Sequence, residues 1–369
     1  MPTPAAAHPV PPMLYFVRHM RTTPLFPLDP AGPTALLDGP PAPPAARPLP
    51  PAPLPASRGV DLASIPTRTA LTRQEGPSAN WFDWSANPYR GCEFGCGYCY
   101  ARSTHEWLGH ADPRDFQERI YVKQGFAEAL HRDLRARVRP GEHVAFGTAT
   151  DPYQPVEARE GVMRAALREM ARASGLRVSI TTKSALVVRD IDLLVAVARR
   201  NAVQVNMTIT TPDARLARFL EPRAPAPGAR FEALRRLRSA GLRAGVFLMP
   251  VLPGVTDAEA DLRTLFHQAA EAGSQFVAHQ VVTLDGSSRA HFLASLRRAY
   301  PRIAARYEVW TRTGRTLPLD VRQEIASRVR GLARRFGIAG PGGRPGDESS
   351  IGPPPQPVAE TQRLFEFVA

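Results

Sequence analysis

Cysteine is nearly absent from this 369-residue chain. It has three, all within eight residues, as Cys92-Glu93-Phe94-Gly95-Cys96-Gly97-Tyr98-Cys99. An odd number in one cluster argues against a disulfide framework and for a reducing, cytoplasmic setting. Lysine is almost as scarce. Of 47 basic residues only Lys123 and Lys183 are lysines. Where arginine has replaced lysine almost everywhere, a surviving lysine marks a place where a compact ammonium serves and a planar guanidinium does not. No run of eighteen apolar residues occurs, which excludes a transmembrane helix and a membrane partner. Met13–Val17 is too short for a signal-peptide core, and no small-residue cleavage site follows it.

What is present is the spacing C-x3-C-x2-C, with two glycines between the thiols. That is the pattern of a metal or cluster site. Three thiolates hold three irons of a [4Fe–4S] cluster and leave the fourth open to a ligand. The competing reading is structural zinc, with Cys92, Cys96, Cys99 and His105 as a Cys3His set in a nucleic-acid-binding module without catalysis. The net charge of +13 and pI near 10.5 suit contact with nucleic acid. A coding bias toward arginine, alanine and proline explains the charge equally well.

Three regions follow from composition. Residues 1–60 hold nearly half of the 39 prolines and read as a disordered leader, with Met13 and Met20 as alternative starts. Residues 61–338 are patterned as a globular core. Residues 339–369 read as a Gly/Pro-rich linker with a short terminal motif. Within the core, strands are expected at His143–Thr148, Arg177–Thr182, Gln204–Ile209, Arg243–Pro250 and Gln275–Val282. Helices are expected near 123–138, 156–174, 189–201, 228–240, 257–272 and 287–300. A short strand leading into the cysteine loop makes six. Strand–helix alternation at this spacing predicts an α/β fold, a partial (β/α)6 TIM-like barrel with its chemistry at the carboxyl ends of the strands.

The loop and its flanks, Asn87-Pro88-Tyr89-Arg90-Gly91-Cys92 through Cys99-Tyr100-Ala101-Arg102, resemble the radical SAM superfamily. The closer resemblance is to its branch related to spore photoproduct lyase, called DNA-repair-photolyase-like. Gly147-Thr148-Ala149-Thr150-Asp151-Pro152-Tyr153-Gln154-Pro155, Thr181-Thr182-Lys183-Ser184, Glu221-Pro222-Arg223-Ala224 and Pro250-Val251-Leu252-Pro253-Gly254 extend the match over about 80–340. The resemblance implies a [4Fe–4S] cluster on Cys92, Cys96 and Cys99 and S-adenosyl-L-methionine on the open iron. It implies reductive cleavage of that cofactor to a 5′-deoxyadenosyl radical, which takes hydrogen from a substrate. Tyr98 then falls near the adenine, and Thr148, Thr150 and Asp151 near the methionine amine. Lys183 falls at the methionine carboxylate, and Asn206 or Thr208 at the ribose or carboxylate. A flavodoxin- or ferredoxin-like one-electron donor is implied as a partner, and nucleic acid as the leading substrate class.

All three cysteines are consumed as ligands, so a second cluster on cysteines is excluded. Spore photoproduct lyases carry a cysteine on the second strand that returns hydrogen to the product radical. This chain has Thr148 there, whose O–H bond is too strong for that task. His131-Arg132-Asp133-Leu134 imitates a kinase catalytic loop but lacks the following asparagine and a glycine-rich loop. Gln362–Phe367 resembles a sliding-clamp-binding peptide, which implies a clamp partner.

Overall fold

The computed structural model describes residues 59–75 and 82–338. The expectations for residues 1–58 and 339–369, including the Gln362–Phe367 motif, lie outside the described residues. The chain builds two sheets. A seven-stranded sheet contains β2 (Leu71–Arg73), β3 (Trp84–Ala86), β6 (His143–Phe146), β7 (Arg177–Thr182), β8 (Ala202–Thr208), β9 (Arg243–Val251) and β10 (Val277–Val281). Its order is β10-β9-β8-β7-β6-β3-β2. Every neighbouring pair from β3 to β10 is parallel, and only β2 runs antiparallel, against β3. A three-stranded sheet joins β1 (Asp61–Pro66), β5 (Arg119–Gln124) and β4 (Tyr89–Arg90). The architecture is a mixed α/β fold around a parallel sheet, with the short strand β3 leading to the cysteine loop.

Parallel strands need crossovers, and helices supply them. The helix Ile191–Ala198 packs on β8, and Pro227–Ser239 packs on β8 and β9. Glu259–Glu271 links β9 to β10 and buries Leu262, Leu265, Phe266 and Ala269, one stripe at helical spacing.

The two faces of the central sheet differ. Pairing places Val178 beside Val203 and Ile180 beside Val205, and on β9 Val246 beside Met207. These are all fully or almost fully buried. Alternation turns the other side chains to the opposite face, where Ser179 pairs Gln204, Thr181 pairs Asn206 and Thr208 pairs Phe247. Apart from Phe247 that face is polar, and its central groups are hydrogen-bonded. Gln204 Nε2 donates to Asn206 Oδ1 (2.8 Å), and Asn206 Nδ2 donates to Thr181 Oγ1 (3.1 Å). A buried polar layer is tolerated only when its groups are paired.

The expected helix near 123–138 begins later, at Phe126. Ile120 and Val122 are buried while their neighbours are not, which is a strand pattern, and Gly125 at φ +68° separates strand from helix. The expected helix at 156–174 is broken at Gly161, also at positive φ. Among the described residues no helix is long and apolar enough to cross a membrane.

Candidate active site

The cysteine loop follows β3 and is held by atoms from distant segments. Gly91 sits at φ +82°, and a Cβ there would lie 2.7 Å from Arg119 O and 2.8 Å from Phe116 O. The loop backbone is tied by Cys92 N to Phe116 O (2.8 Å) and Gly97 N to Leu220 O (2.9 Å). Ser288 Oγ donates to Cys99 O (2.9 Å). The adjoining loop after β6 is fastened by Asn87, whose Nδ2 donates to Thr148 Oγ1 (2.9 Å) and whose Oδ1 accepts from Ala149 N (3.0 Å).

These loops enclose a cavity of about 370 Å³. Cys92, Cys96 and Cys99 line it, with Tyr98, Thr148, Thr150, Asp151, Lys183 and Thr208. The rest of the lining includes Gln74, Phe82, Phe247, Met249 and Gln280–Thr283. Of the residues expected at a cofactor, only Asn206 stays out. It lies one layer deeper, bonded to Thr181 and Gln204.

The threonines and the aspartate also hold the loops together. Thr150 Oγ1 donates to Gly91 O (2.5 Å) and accepts from Gln154 Nε2 (3.0 Å). Asp151 accepts from Thr182 Oγ1 (2.7 Å), Lys183 N (2.7 Å) and Tyr153 N (2.9 Å). Burial raises the Asp151 carboxyl pKa against those three bonds. Its carboxylate fixes the backbone that presents Lys183.

Gly147 makes this turn possible. It has φ +84°, and a Cβ would press into the carbonyl oxygen of Thr181 on the neighbouring strand. Gly147→Ala is therefore expected to destabilise the chain by well over about 1 kcal/mol and to displace Thr148–Asp151. A denaturant midpoint within error of the parent would contradict this.

The thiol end carries a buried positive charge that no carboxylate hydrogen-bonds among the described residues, although Asp112 acts on it through space. Arg102 is 1% exposed. Its guanidinium donates to Cys96 O (2.8 Å), Pro113 O (2.7 Å) and Gln117 Oε1 (2.8 Å), all neutral. Burial pulls its pKa below the usual value. A buried guanidinium without a carboxylate partner is costly unless negative charge lies nearby. Three thiolates on an iron–sulfur cluster supply that charge, so the donor set and its surroundings fit such a group. The bare thiols are out of balance too. Burial pushes Cys92 up, and pushes Cys96 up to about 12. Metal ligation is what releases such protons.

The zinc reading gains no support. His105 Nε2 is bonded to Arg119 O (2.9 Å), and its ring packs on Phe116 and Tyr121, not on the cavity wall. Among the described residues no three His, Cys, Asp or Glu side chains gather to hold a single metal ion.

A second charged network backs the cavity wall. Glu221 accepts from the Tyr98 hydroxyl and from Thr210 Oγ1 (3.0 Å) and is ion-paired with Arg230. Arg230 also donates to Thr208 O (3.1 Å) and Pro225 O (2.8 Å). The Lys183 ammonium lies 5.8 Å from the centre of the Tyr98 ring, within cation–π reach. Burial works against the Lys183 charge, but Cys96, Glu221 and Asp151 outweigh it and raise its pKa. Burial first, then Glu221, pushes the Tyr98 phenol far up, so it stays a donor.

Glu221, Arg230, Asn87, Arg102 and Gln74 had no expected role. Asn87, Arg102 and Glu221 fall inside the recognised motifs, where a pairing requirement would have found them. Arg230 and Gln74 carry no local signal.

The sequence matches the Radical SAM superfamily over residues 86–266. An uncharacterized protein of Mycobacterium tuberculosis is 36% identical over 286 residues, covering 78% of this chain and 84% of the relative. An uncharacterized protein of Methanocaldococcus jannaschii is 25% identical over 201 residues, covering 54% and 71%. Among solved structures, spore photoproduct lyase complexed with dinucleoside spore photoproduct superposes with TM-score 0.57. It does so at 17% identity, over 76% of this chain and 80% of that one. That likeness is one of fold. Superfamily membership brings S-adenosylmethionine-dependent radical chemistry with an iron–sulfur cluster. The chain is an enzyme of the radical SAM superfamily.

Proposed function

We propose that Cys92, Cys96 and Cys99 hold a [4Fe–4S] cluster and that S-adenosylmethionine occupies the cavity floor beside them. The observation that carries this reading is the convergence of the three thiols, Tyr98, Thr148–Asp151 and Lys183 on one cavity. When bound, the cluster supplies the electron that opens S-adenosylmethionine to a 5′-deoxyadenosyl radical, which takes hydrogen from the substrate. Lys183, the cation on this wall, pairs with the cofactor's carboxylate. Thr148 and Asp151 each retain lone pairs for its amine. Tyr98, locked by Glu221, offers a fixed ring face. A partial (β/α)6 barrel is supported by the cavity lining. Gln74 and Phe82 lie by the β2–β3 edge of the sheet and Gln280 at the β10 edge, yet all line one cavity, as a curled sheet would have it.

Nucleic acid is the proposed substrate class, from the family resemblance and the net charge of +13, and a flavodoxin- or ferredoxin-like protein the electron donor. The test is anaerobic reconstitution, reduction with dithionite and quantitation of 5′-deoxyadenosine with DNA, RNA or peptide added. We expect a brown protein whose reduced-state EPR signal shifts on adding S-adenosylmethionine, and product formation stimulated by nucleic acid. A colourless zinc protein making no 5′-deoxyadenosine would overturn the reading. Stimulation by peptide alone would overturn the substrate class.

A further inference from the structure

The cavity lining away from the cysteine loop and Thr148–Asp151 is described by what it lacks. The chain carries a net charge of +13 and 47 basic residues, yet among the described residues no arginine lines the cavity. Among the described residues its only charged side chains are Asp151 and Lys183, both within electrostatic reach of the thiols. A phosphate or carboxylate drawn into this wall would be desolvated with no cation to meet it, at prohibitive cost. The group that enters is therefore uncharged.

Its polar edge is read by one residue. Gln74 is 7% exposed and lines the cavity. Its Nε2 is spent on Thr72 O (3.2 Å) and Ser85 Oγ (3.1 Å). Because a carbonyl accepts and cannot donate, the bond to Thr72 O fixes which end of the amide is which. The remaining Oε1 has no hydrogen-bond partner among the described residues. An orientation-locked acceptor on a side chain that lines the cavity offers a partner to a ligand's N–H or O–H donor. Phe82 beside it and Phe247 on β9 supply aromatic surface.

We infer that the substrate presents an uncharged flat ring bearing an N–H edge, taken up by Gln74 Oε1 against Phe82 and Phe247, while its phosphates stay outside the cavity. This rests on the nucleic-acid reading above and makes it more specific. Gln74 is a specificity residue placed well away in sequence from the cysteine motif.

The test uses the reconstituted full-length chain with S-adenosylmethionine and no reductant, so that binding alone is read. The probes are a fluorescein-labelled single-stranded oligothymidylate and the same oligomer with N3-methylthymine at its central positions. Both carry the same phosphates, so backbone electrostatics cancel. N3-methylation removes the donor and is expected to weaken binding by roughly five- to tenfold, the scale of one hydrogen bond. In Gln74→Met, which keeps the volume and loses the amide, the two probes are expected to bind within about twofold of each other. Gln74→Leu serves the same purpose should the methionine variant unfold. Equal binding of both probes to the parent chain overturns the inference, as does a discrimination that survives in the Gln74 variants. No saturable binding of either oligomer overturns the nucleic-acid reading with it. The radical-generating centre is judged separately, by 5′-deoxyadenosine.

Discussion

Alanine at any one of Cys92, Cys96 or Cys99 is expected to abolish 5′-deoxyadenosine formation and to bleach the reconstituted protein. A cubane with one iron left for S-adenosylmethionine has no spare protein ligand, and this chain has no fourth cysteine to substitute. The neighbours cannot rescue the site. His105 does not line the cavity, and the Asp151 carboxylate is held in place by Thr182 Oγ1, Lys183 N and Tyr153 N. The fold should survive, because the loop is anchored by Gly91, Arg102 and Ser288 through backbone atoms, not through the thiols. Removing one sulfur deletes little volume, so the stability loss should stay near about 1 kcal/mol. Iron content, the visible spectrum and the denaturant midpoint separate the two effects. A single variant that retains about four irons per chain and full activity would show that its cysteine is not a ligand.

The largest effect on stability is expected from Glu221→Ala. Glu221 and Arg230 are each about 1% exposed, and they form a buried ion pair that also receives the Tyr98 hydroxyl. Breaking such a pair from one side leaves a buried guanidinium uncompensated, at about 3–5 kcal/mol. Removing both charges together costs far less. Glu221→Gln with Arg230→Met is therefore expected to be more stable than Glu221→Ala, a non-additive outcome that identifies the pair.

The pH dependence follows from the same pairing. Burial alone would raise the Glu221 carboxyl, but Arg230 and Lys183, with the Tyr98 hydrogen bond, hold it below the ordinary range. Its unfolded pKa is about 4.3. The contribution is thus fully present above that value and is lost as pH falls through the lower folded-state pKa. The stability gap between the parent and Glu221→Gln should narrow in strong acid. A gap that widened there, or a Glu221→Ala loss under about 1 kcal/mol, would refute the ion-pair account. Because Tyr98 loses its tether in the same variant, cofactor affinity should fall as well.

The central parallel strands were legible because each is a short run of β-branched and apolar residues followed by a helical stripe, a pattern contained within a few residues. β7 was placed without error, and the ends of β6, β8, β9 and β10 differ by only a few residues. The small sheet was not legible. β4 is two residues long, and β1 is exposed along most of its length. Neither offers a hydrophobic period to read.

By itself, the sequence determined the cysteine motif, the superfamily to which it points and the strand ends that converge on it. Metal-ligand spacing within one loop is a local property of the chain. Tertiary structure alone decided what surrounds that motif. Glu221 meets Tyr98 across 123 residues of chain, and Asp151 meets Lys183 across 32. Gln74 reaches the cavity from the opposite edge of the sheet to β10. A buried charge or acceptor is defined by its partner and by the absence of water. Neither can be read from residues that the fold has yet to bring together.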